Sequence, residues 1–580
     1  MHLPSPYIMI PMQSKKEINL AILSSFTIRG IEEGLRLKCQ EIGIAPNIYV
    51  GGYNQYAQEI LNPESGLYKT HQDVVVLFID IRALLGEQFF FSYQFSGMQR
   101  REWVKEKIAE LESLVFELKK RLSAKIIIHN FEVPMHTPLG ILENKQDFGL
   151  HESIRALNDL LRDAHKTDSQ VFVFDYDAFC SKTGKRNIID YKMYYLGDVK
   201  LHFSRIPELC EEYLAYVKPL MSLNRKCLVL DLDNTLWGGV IGEEGLGGIK
   251  LGPTPEGRPF WEFQKYLLSL FQRGIILTIN SKNNPEDALR VFREHPHAVL
   301  KEEHFAATKI NWDDKVSNMR ALAEEINLGI ESFVFIDDDH INRDMVRKML
   351  PEVKVVDFPE DPALYVKIIS ELDDFHTLTL TDEDKERGKT YATERQRKEV
   401  RNVAADLNEY LRNLQTVVTI DCANPITIPR IAQLIAKTNQ FNMTTRRYTE
   451  EQVRELTGRP DFLIVSLSAR DRFGDNGIVG VAIVEKGSMQ WRIDTFLLSC
   501  RVIGRRIEET LLAYIADQAS KEGAGALIGE FIPTGKNMPA KGFYANNGFT
   551  RTSSTEAMEL WEYDLSKGYS YPDLIQLAVV

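Results

Sequence analysis

The chain has 580 residues, of which 44% are hydrophobic and 26% charged, and a formal net charge of −12. That balance is ordinary for a globular chain and excludes a largely disordered one, while the negative charge excludes general nucleic-acid binding, which needs a basic field for the phosphate backbone. No apolar run reaches the roughly 18 residues of a membrane span, no basic stretch precedes an apolar core at the N-terminus, and six scattered cysteines form neither a zinc spacing nor a disulfide framework. The expectation is a cytoplasmic, multidomain α/β protein of three or four domains, at about 150 residues each, the C-terminal one α+β.

Residues 1–222 alternate strand-like runs (INLAILSSF, NIYVGG, DVVVLFIDI, AKIIIHNF, QVFVFDY) with helical patterns near 29–42, 100–122 and 151–166. This alternation predicts a parallel sheet flanked by helices, flavodoxin-like in class. Ser24 and Ser25 at the end of the first run, Asn130 after the fourth, and Asp198 with His202 faintly resemble the layout of SGNH hydrolases. The preferred reading is structural: Ser-Ser-Phe-Thr caps the following helix, and the domain covers or supports a neighbouring site.

From 223 to 375 the chain carries polar groups at the ends of apolar runs. KCLVLDLDNTLWGG delivers Asp231 and Asp233 where a β-branched strand ends, two residues apart, so that the pair can share a face while Leu232 turns into the core. GIILTINSKNN ends its strand at Asn280 and Ser281, Lys315 opens an apparent helix in NWDDKVSNM, and FVFIDDDH ends in Asp337, Asp338 and Asp339. In open α/β sheets ligands bind at the carboxyl ends of strands, so the four sites converge on one crevice. Aspartate, hydroxyl, lysine and acidic pair, in that order, resemble the haloacid dehalogenase (HAD) superfamily of phosphoryl-transfer enzymes. The resemblance implies Asp231 as nucleophile, Asp233 as general acid and base, Ser281 and Lys315 as phosphate ligands, and a magnesium ion held by Asp231, Asp233 through its carbonyl, and the pair Asp337 and Asp338. Only a Gly-rich flap separates Asp233 from the helix expected near Phe260, so no cap domain is inserted.

Residues 376–405 are charged and nearly free of large apolar side chains, which reads as a linker entering a solvated helix. From 406 to 580 the pattern is helix, strand, helix, then the strand runs FLIVSLSAR, GIVGVAIVEK and WRIDTFLLSC, with GDNG as a hairpin signal. An Arg/Gly turn after Cys500 leads into an amphipathic helix, and NMPAKGFYANNGF follows. Strand, R-x-x-G-R turn, helix and a Phe-Tyr segment resemble the GNAT acyltransferase fold, in which the turn and that segment hold a pantetheine thioester. Arg446, Arg447, Arg501, Arg505, Arg506, Lys536 and Lys541 concentrate in this third, either as a dock for acidic partners or as an ordinary solvated face.

Across the full chain LDLDNTLWGGVIGEEG, INSKNN, TNQFN-TTRRYT, DRFGDNG and SCRVIGRR resemble the FkbH-like enzymes. That resemblance implies a bifunctional glyceryl transferase and phosphatase. Such an enzyme takes 1,3-bisphosphoglycerate and loads a glyceryl thioester onto a phosphopantetheinylated acyl carrier protein, with Mg2+ as cofactor. It also implies Cys500 as a thiol nucleophile beside the pantetheine tunnel, Tyr544 as a proton donor, and Asn439, Gln440, Asn442, Arg472, Phe473, Arg501, Gly504, Arg505 and Asn537 as acyl and pantetheine ligands. From the residues alone, a strand cysteine is also a small buried hydrophobe and a Phe-Tyr pair is also filler. One departure stands out: Asp339, His340 and Asn342 follow the acidic pair, where the family tends to place Asn-Pro and a Glu. The alternatives are a magnesium phosphatase joined to a CoA-dependent acetyl-type transferase, and a carrier-protein scaffold without activity.

Overall fold

The computed structural model describes residues 16–403, 406–535, 537–555 and 557–579, with the backbone alone for 382, 383, 394, 396, 398–400, 402, 403, 500 and 579. By compactness the chain divides into two units, one running to Asn224 with Asp373–Thr379 added, the other comprising Arg225–Leu372 and Leu380–Val580. No helix among the described residues is long and apolar enough to cross a membrane.

The first unit is built on a parallel sheet of β1 (Lys16–Ser24), β2 (Ile44–Val50), β3 (Val74–Phe78), β4 (Lys125–His129) and β5 (Val171–Phe174), in the order β2-β1-β3-β4-β5. Both faces are covered, which is why its strands read as continuous apolar runs. In β1, Ala21 and Leu23 join the core under helices Gly97–Arg121 and Leu150–His165, while Leu20 and Ile22 join the core under Ile31–Glu41 and Ile206–Leu220. Ile31–Glu41, Gly97–Arg121 and Leu150–His165 fall near the helical patterns expected at 29–42, 100–122 and 151–166, and Ile206–Leu220 is a further helix outside those patterns.

In the second unit, β6 (Cys227–Leu230), β7 (Ile276–Ser281), β8 (Phe305–Ile310), β9 (Phe333–Ile336) and β10 (Lys354–Val355) form a parallel sheet ordered β10-β9-β6-β7-β8. All four residues of β6 are fully buried, and burial pushes the Cys227 thiol up to about 12, as befits core packing. Between β6 and helix Arg258–Gln272 the chain forms only the short helix Ile241–Gly248, so the HAD-like domain has no cap.

The charged segment becomes helix Asp382–Val403, which packs on β7, β8 and the end of Arg258–Gln272. Beyond it lie β11 (Val417–Cys422), β12 (Phe441–Asn442), β13 (Phe462–Asp471), β14 (Gly474–Lys486), β15 (Gln490–Leu498), β16 (Ala526–Phe531), β17 (Thr550–Ser554), β18 (Glu559–Asp564) and β19 (Gln576–Val579). They form one mixed sheet, ordered β17-β18-β16-β15-β14-β13-β11-β19, with β12 paired to β15. The β13–β14 hairpin turns at Arg472 and Phe473, and GDNG lies inside β14 instead of forming the turn.

The Asp471 carboxylate, at that turn, is 1% exposed and receives a two-pronged ion pair from Arg397 of the preceding long helix (2.8 and 2.9 Å) and a third contact from Arg505 (3.2 Å). The helix is thereby clamped to the hairpin by a buried charge. Asp471→Ala leaves two buried guanidiniums without this carboxylate and is expected to cost about 3–5 kcal/mol. Urea unfolding of the full chain should show an early transition that Asp471→Glu restores in part; an unchanged profile would contradict the clamp.

Candidate active site

Four strand ends of the HAD-like sheet bring the charged groups together. Asp231 follows β6, and its N–H donates to the Ile336 carbonyl (3.0 Å), so the tip of β6 is locked to the tip of β9 that bears Asp337 and Asp338. Lys315 opens helix Lys315–Ile326, whose N-cap Asp314 accepts from the Ser317 N–H (2.8 Å). The Lys315 ammonium is 1% exposed and donates to Asp231 (2.5 Å), to the Asn280 carbonyl (2.6 Å) and to Asp337 (3.0 Å). Burial alone would push this lysine down, but the charges of Asp231 and Asp337 outweigh it and hold its pKa up.

Carboxylate oxygens of Asp231, Asp337 and Asp338 lie within 4.8 Å of one another. Burial first, and then the charge of Asp231, raises Asp337; burial followed by the charges of Asp231 and Asp337 pushes Asp338 up to about 7. Mutually raised carboxyls at a strand edge, with one lysine among them, are short of positive charge, and an all-oxygen set of this kind fits magnesium. Asp231, Asp337 and Asp338 would hold such an ion.

The Asp233 side chain is held in place by three donors. Its carboxylate accepts from Trp237 Nε1 (2.8 Å), the Ile241 N–H (3.1 Å) and Asn283 Nδ2 (2.8 Å), and so ties the flap and the loop after β7 to the strand end. Asn234 takes the left-handed conformation at φ 53°, which asparagine tolerates, and its side chain accepts from the Gly239 N–H (2.8 Å). Gly239 sits at φ 91°, a backbone conformation that L side chains rarely adopt.

Ser281 ends β7 with its residue 1% exposed, next to Asn280, whose buried side-chain oxygen has no hydrogen-bond partner. The sequence reading did not single out Asn283, Arg343 or Tyr365. Arg343 donates to the carbonyls of Asp337 and Asp338 (2.7 and 2.6 Å), holding the acidic turn, and Asn342 reaches Asp337 at 3.4 Å. Tyr365 donates to the Asn234 carbonyl (2.8 Å) from 131 residues away. Only the INSKNN string hinted at Asn283, since its partner lies 50 residues earlier.

In the C-terminal sheet, β15 and β16 pair in parallel only over Gln490–Ile493 and Ala526–Gly529. Beyond that, residues 441–443 come between them: β12 pairs with Leu497 and Leu498, Met443 N–H donates to Phe496 (3.0 Å), and Ile532 N–H donates to Met443 (2.8 Å). Asn442 and Asn537 are fully buried in this insertion, with Asn537 Nδ2 bonded to the carbonyls of Asn442 and Ile532 (both 2.9 Å). Asn439 accepts from Arg447, while Gln440 exchanges two amide hydrogen bonds with Asn327 (3.1 Å each). Arg472 lies over the Phe473 ring at 4.6 Å. Gly504, at φ 77°, shapes the turn in which Arg505 Nη2 bonds the Arg501 carbonyl (2.8 Å).

The Cys500 side chain lies outside the described residues; its backbone opens the short turn Cys500–Val502 after β15. Tyr544 is buried, its hydroxyl has no hydrogen-bond partner, and burial followed by the charge of Glu530 raises its pKa. Its ring packs against Gly529, where a Cβ would come within 2.5 Å. Much of the basic cluster is internally neutralised: Arg446 pairs with Asp494 and Glu530, Arg505 with Asp471, and Arg506 with Glu509. Lys536 lies outside the described residues.

In the first unit the residues of the SGNH-like pattern are not joined. Ser24 Oγ accepts from the Phe26 N–H (3.2 Å), Ser25 Oγ from the Asp80 N–H (2.8 Å), and the helix at Ile31 is preceded by Gly30 without a side-chain cap. Asn130 donates to Asp175 (2.8 Å), Asp198 accepts from Tyr53 (2.6 Å), and His202 meets Ser204 (2.8 Å). No serine–histidine pair links these positions.

Residues 19–218 match the model of the family described as FkbH, N-terminal domain. Among solved structures, the chain is similar to the N-terminal part of the protein BF1531 from Bacteroides fragilis, which contains a phosphatase domain and is complexed with Mg. Identity is 27% and the TM-score 0.58, over 63% of this chain and 96% of that one. The ribosomal-protein-S18-alanine N-acetyltransferase from Escherichia coli aligns at 13% identity and TM-score 0.22, over 27% of this chain and 98% of that one. A putative acetyltransferase of the GNAT family from Desulfovibrio desulfuricans aligns at 14% and 0.21, over 26% and 99%. No curated protein matches the chain. Residues 19–218 thus match an FkbH N-terminal domain, and the HAD-like domain follows directly after it.

Proposed function

We propose that the chain is a magnesium-dependent phosphatase joined to an acyltransferase, which draws a three-carbon unit from 1,3-bisphosphoglycerate and leaves it as a glyceryl thioester on a phosphopantetheinylated acyl carrier protein. The observation that carries the phosphatase half is the buried set of Asp231, Lys315, Asp337 and Asp338 at one sheet edge. Support for the acyl half comes from the FkbH N-terminal match and from the motifs of the last third.

In this reading Asp231 attacks the phosphorus of a phosphate ester. Lys315 and the Ser281 hydroxyl take the phosphoryl oxygens, and Asp233 gives a proton to the leaving oxygen and later takes one from water. Magnesium, when bound by Asp231, Asp337 and Asp338, supplies the remaining positive charge against which a carboxylate can approach a phosphate dianion. The acyl phosphate needs a different fate. Attack at its phosphorus would release a free carboxylate and lose the activation, so a thiol, from Cys500 or the carrier arm, opens it at carbon and expels phosphate.

Three measurements test the assignment. Wild-type enzyme with magnesium, carrier and 1,3-bisphosphoglycerate should give a glyceryl-loaded carrier by intact mass, whereas Asp231→Asn should leave the acyl group one phosphoryl unit heavier; a fully dephosphorylated product from the variant would refute the role of Asp231. Cys500→Ala should abolish any covalent acyl-enzyme, and its persistence would remove Cys500 as nucleophile. Asn283→Ala takes one donor from the Asp233 carboxylate, a loss of about 1.5–3 kcal/mol, so kcat should fall by about ten- to hundredfold with KM little changed. An unaltered kcat would show that Asp233 does not need that hold.

A further inference from the structure

The first unit holds a cavity at the carboxyl ends of β1 and β2, the edge at which open α/β sheets bind their ligands. Its volume is about 220 Å3, below the roughly 300–1,000 Å3 of pockets that take drug-sized molecules, so its occupant is a small metabolite. Hydrogen bonds brace the walls. The Gly51 N–H donates to the Ile22 carbonyl (3.0 Å) and joins the two strand ends. Thr27 donates its N–H to the Asp198 carbonyl (3.0 Å) and its hydroxyl to the Gly197 carbonyl (2.8 Å), and Tyr53, in the loop after β2, donates to the Asp198 carboxylate (2.6 Å).

The buried part of the lining is apolar apart from one hydroxyl. Ile22, Phe26 and Ile28 supply the hydrocarbon; Ser24, 5% exposed, accepts from the Phe26 N–H (3.2 Å), and its own proton reaches no acceptor among the described residues. The exposed part carries two opposite charges. Arg29 and Glu33 both line the cavity, and among the described residues neither side chain has a hydrogen bond or ion pair, with the other or with any third group. Glu32 differs, being bonded to Arg36 (2.9 Å). Between Arg29 and the first helical turn, Gly30 is the N-cap at φ 89° and brings no side chain, so the N–H groups that open helix Ile31–Glu41 have no side-chain cap.

We infer that this cavity binds a free aliphatic α-amino acid, its carboxylate on Arg29, its ammonium on Glu33 and its side chain among Ile22, Phe26 and Ile28. The inference is independent of the phosphatase reading. A ligand with only a negative charge would be opposed by Glu33, and one with only a positive charge by Arg29; a zwitterion satisfies both. The uncapped helix start and the Ser24 proton add donors for the carboxylate, since the N-terminal end of a helix favours an anion. An aliphatic side chain is the part that gains from the buried hydrocarbon, which a sugar or a polyol would leave unused.

The test is isothermal titration calorimetry of the full chain at low ionic strength with L-leucine, L-valine and L-methionine. 4-Methylpentanoate, which is leucine without its ammonium, and 3-methylbutylamine, which is leucine without its carboxylate, serve as controls. At least one amino acid should bind once per chain with a Kd below about 1 mM, and both one-charge analogues at least about tenfold more weakly than leucine. Arg29→Ala and Glu33→Gln should each raise the Kd of the amino acid about tenfold or more, with Arg29→Lys in between, and leave thermal melting of the ligand-free protein unchanged because both side chains are exposed and unpaired. No saturation by any of the three amino acids at about 10 mM, analogues bound as tightly as leucine, or an amino-acid Kd untouched by both Arg29→Ala and Glu33→Gln would overturn the inference.

Discussion

A single buried ammonium organises the crevice. Lys315 stands at the first position of a helix, where the dipole opposes a cation, and is shielded from solvent as well. It is stable there because Asp231 and Asp337 reach it from two different strand tips and the Asn280 carbonyl from a third. The carboxylates need the lysine in turn. Two like charges 4 Å apart repel by about 4 kcal/mol at an effective dielectric of 20, and three carboxylates meet here within 4.8 Å. The flap, the Arg343 contacts and the Tyr365 bond all serve to keep these strand ends in place. Charge balance at the tips of β6, β7 and β9 is thus the constraint to which the local fold conforms.

A second buried charge does comparable work in the last third. Asp471 joins the long helix at Arg397 to the turn at Arg505, so the Arg/Gly loop that resembles a pantetheine-binding turn is tied to the segment linking it with the HAD-like sheet. Nearby, the parting of β15 and β16 leaves backbone groups that residues 441–443 satisfy. Asn442 and Asn537 are spent on that repair. An acyl ligand that used the gap between those strands would have to displace this segment or bind beside it, at the Arg501–Arg505 turn.

Much of this was legible in the sequence because the signals were local. Strands buried on both faces appear as unbroken apolar runs, so the first unit and β6, β7 and β9 could be read directly, along with Asp231, Ser281, Lys315 and the acidic pair at their ends. β8 could not: FAATKI is an edge strand with small residues and a lysine, and it lacks the apolar density of its neighbours. β12 is two residues long and exists only because two distant strands diverge. Asn283, Arg343 and Tyr365 act on partners 5 to 131 residues away, and no spacing in the chain announces such contacts. The hairpin was correctly sensed at DRFGDNG but misplaced within it, since Asp471 draws the Phe473 and Gly474 N–H groups onto its carboxylate and so fixes the turn two residues earlier.

The lack of a cap bears on how one site could remove a phosphate without destroying a thioester. In the proposed scheme water must reach Asp231 to release the phosphoryl group, and between β6 and helix Arg258–Gln272 the chain forms only the short helix Ile241–Gly248. Protection of the thioester has to come from distance. A phosphate anchored by Lys315 and Ser281, as that scheme has it, would place the carbon skeleton outward, away from the aspartate and its water.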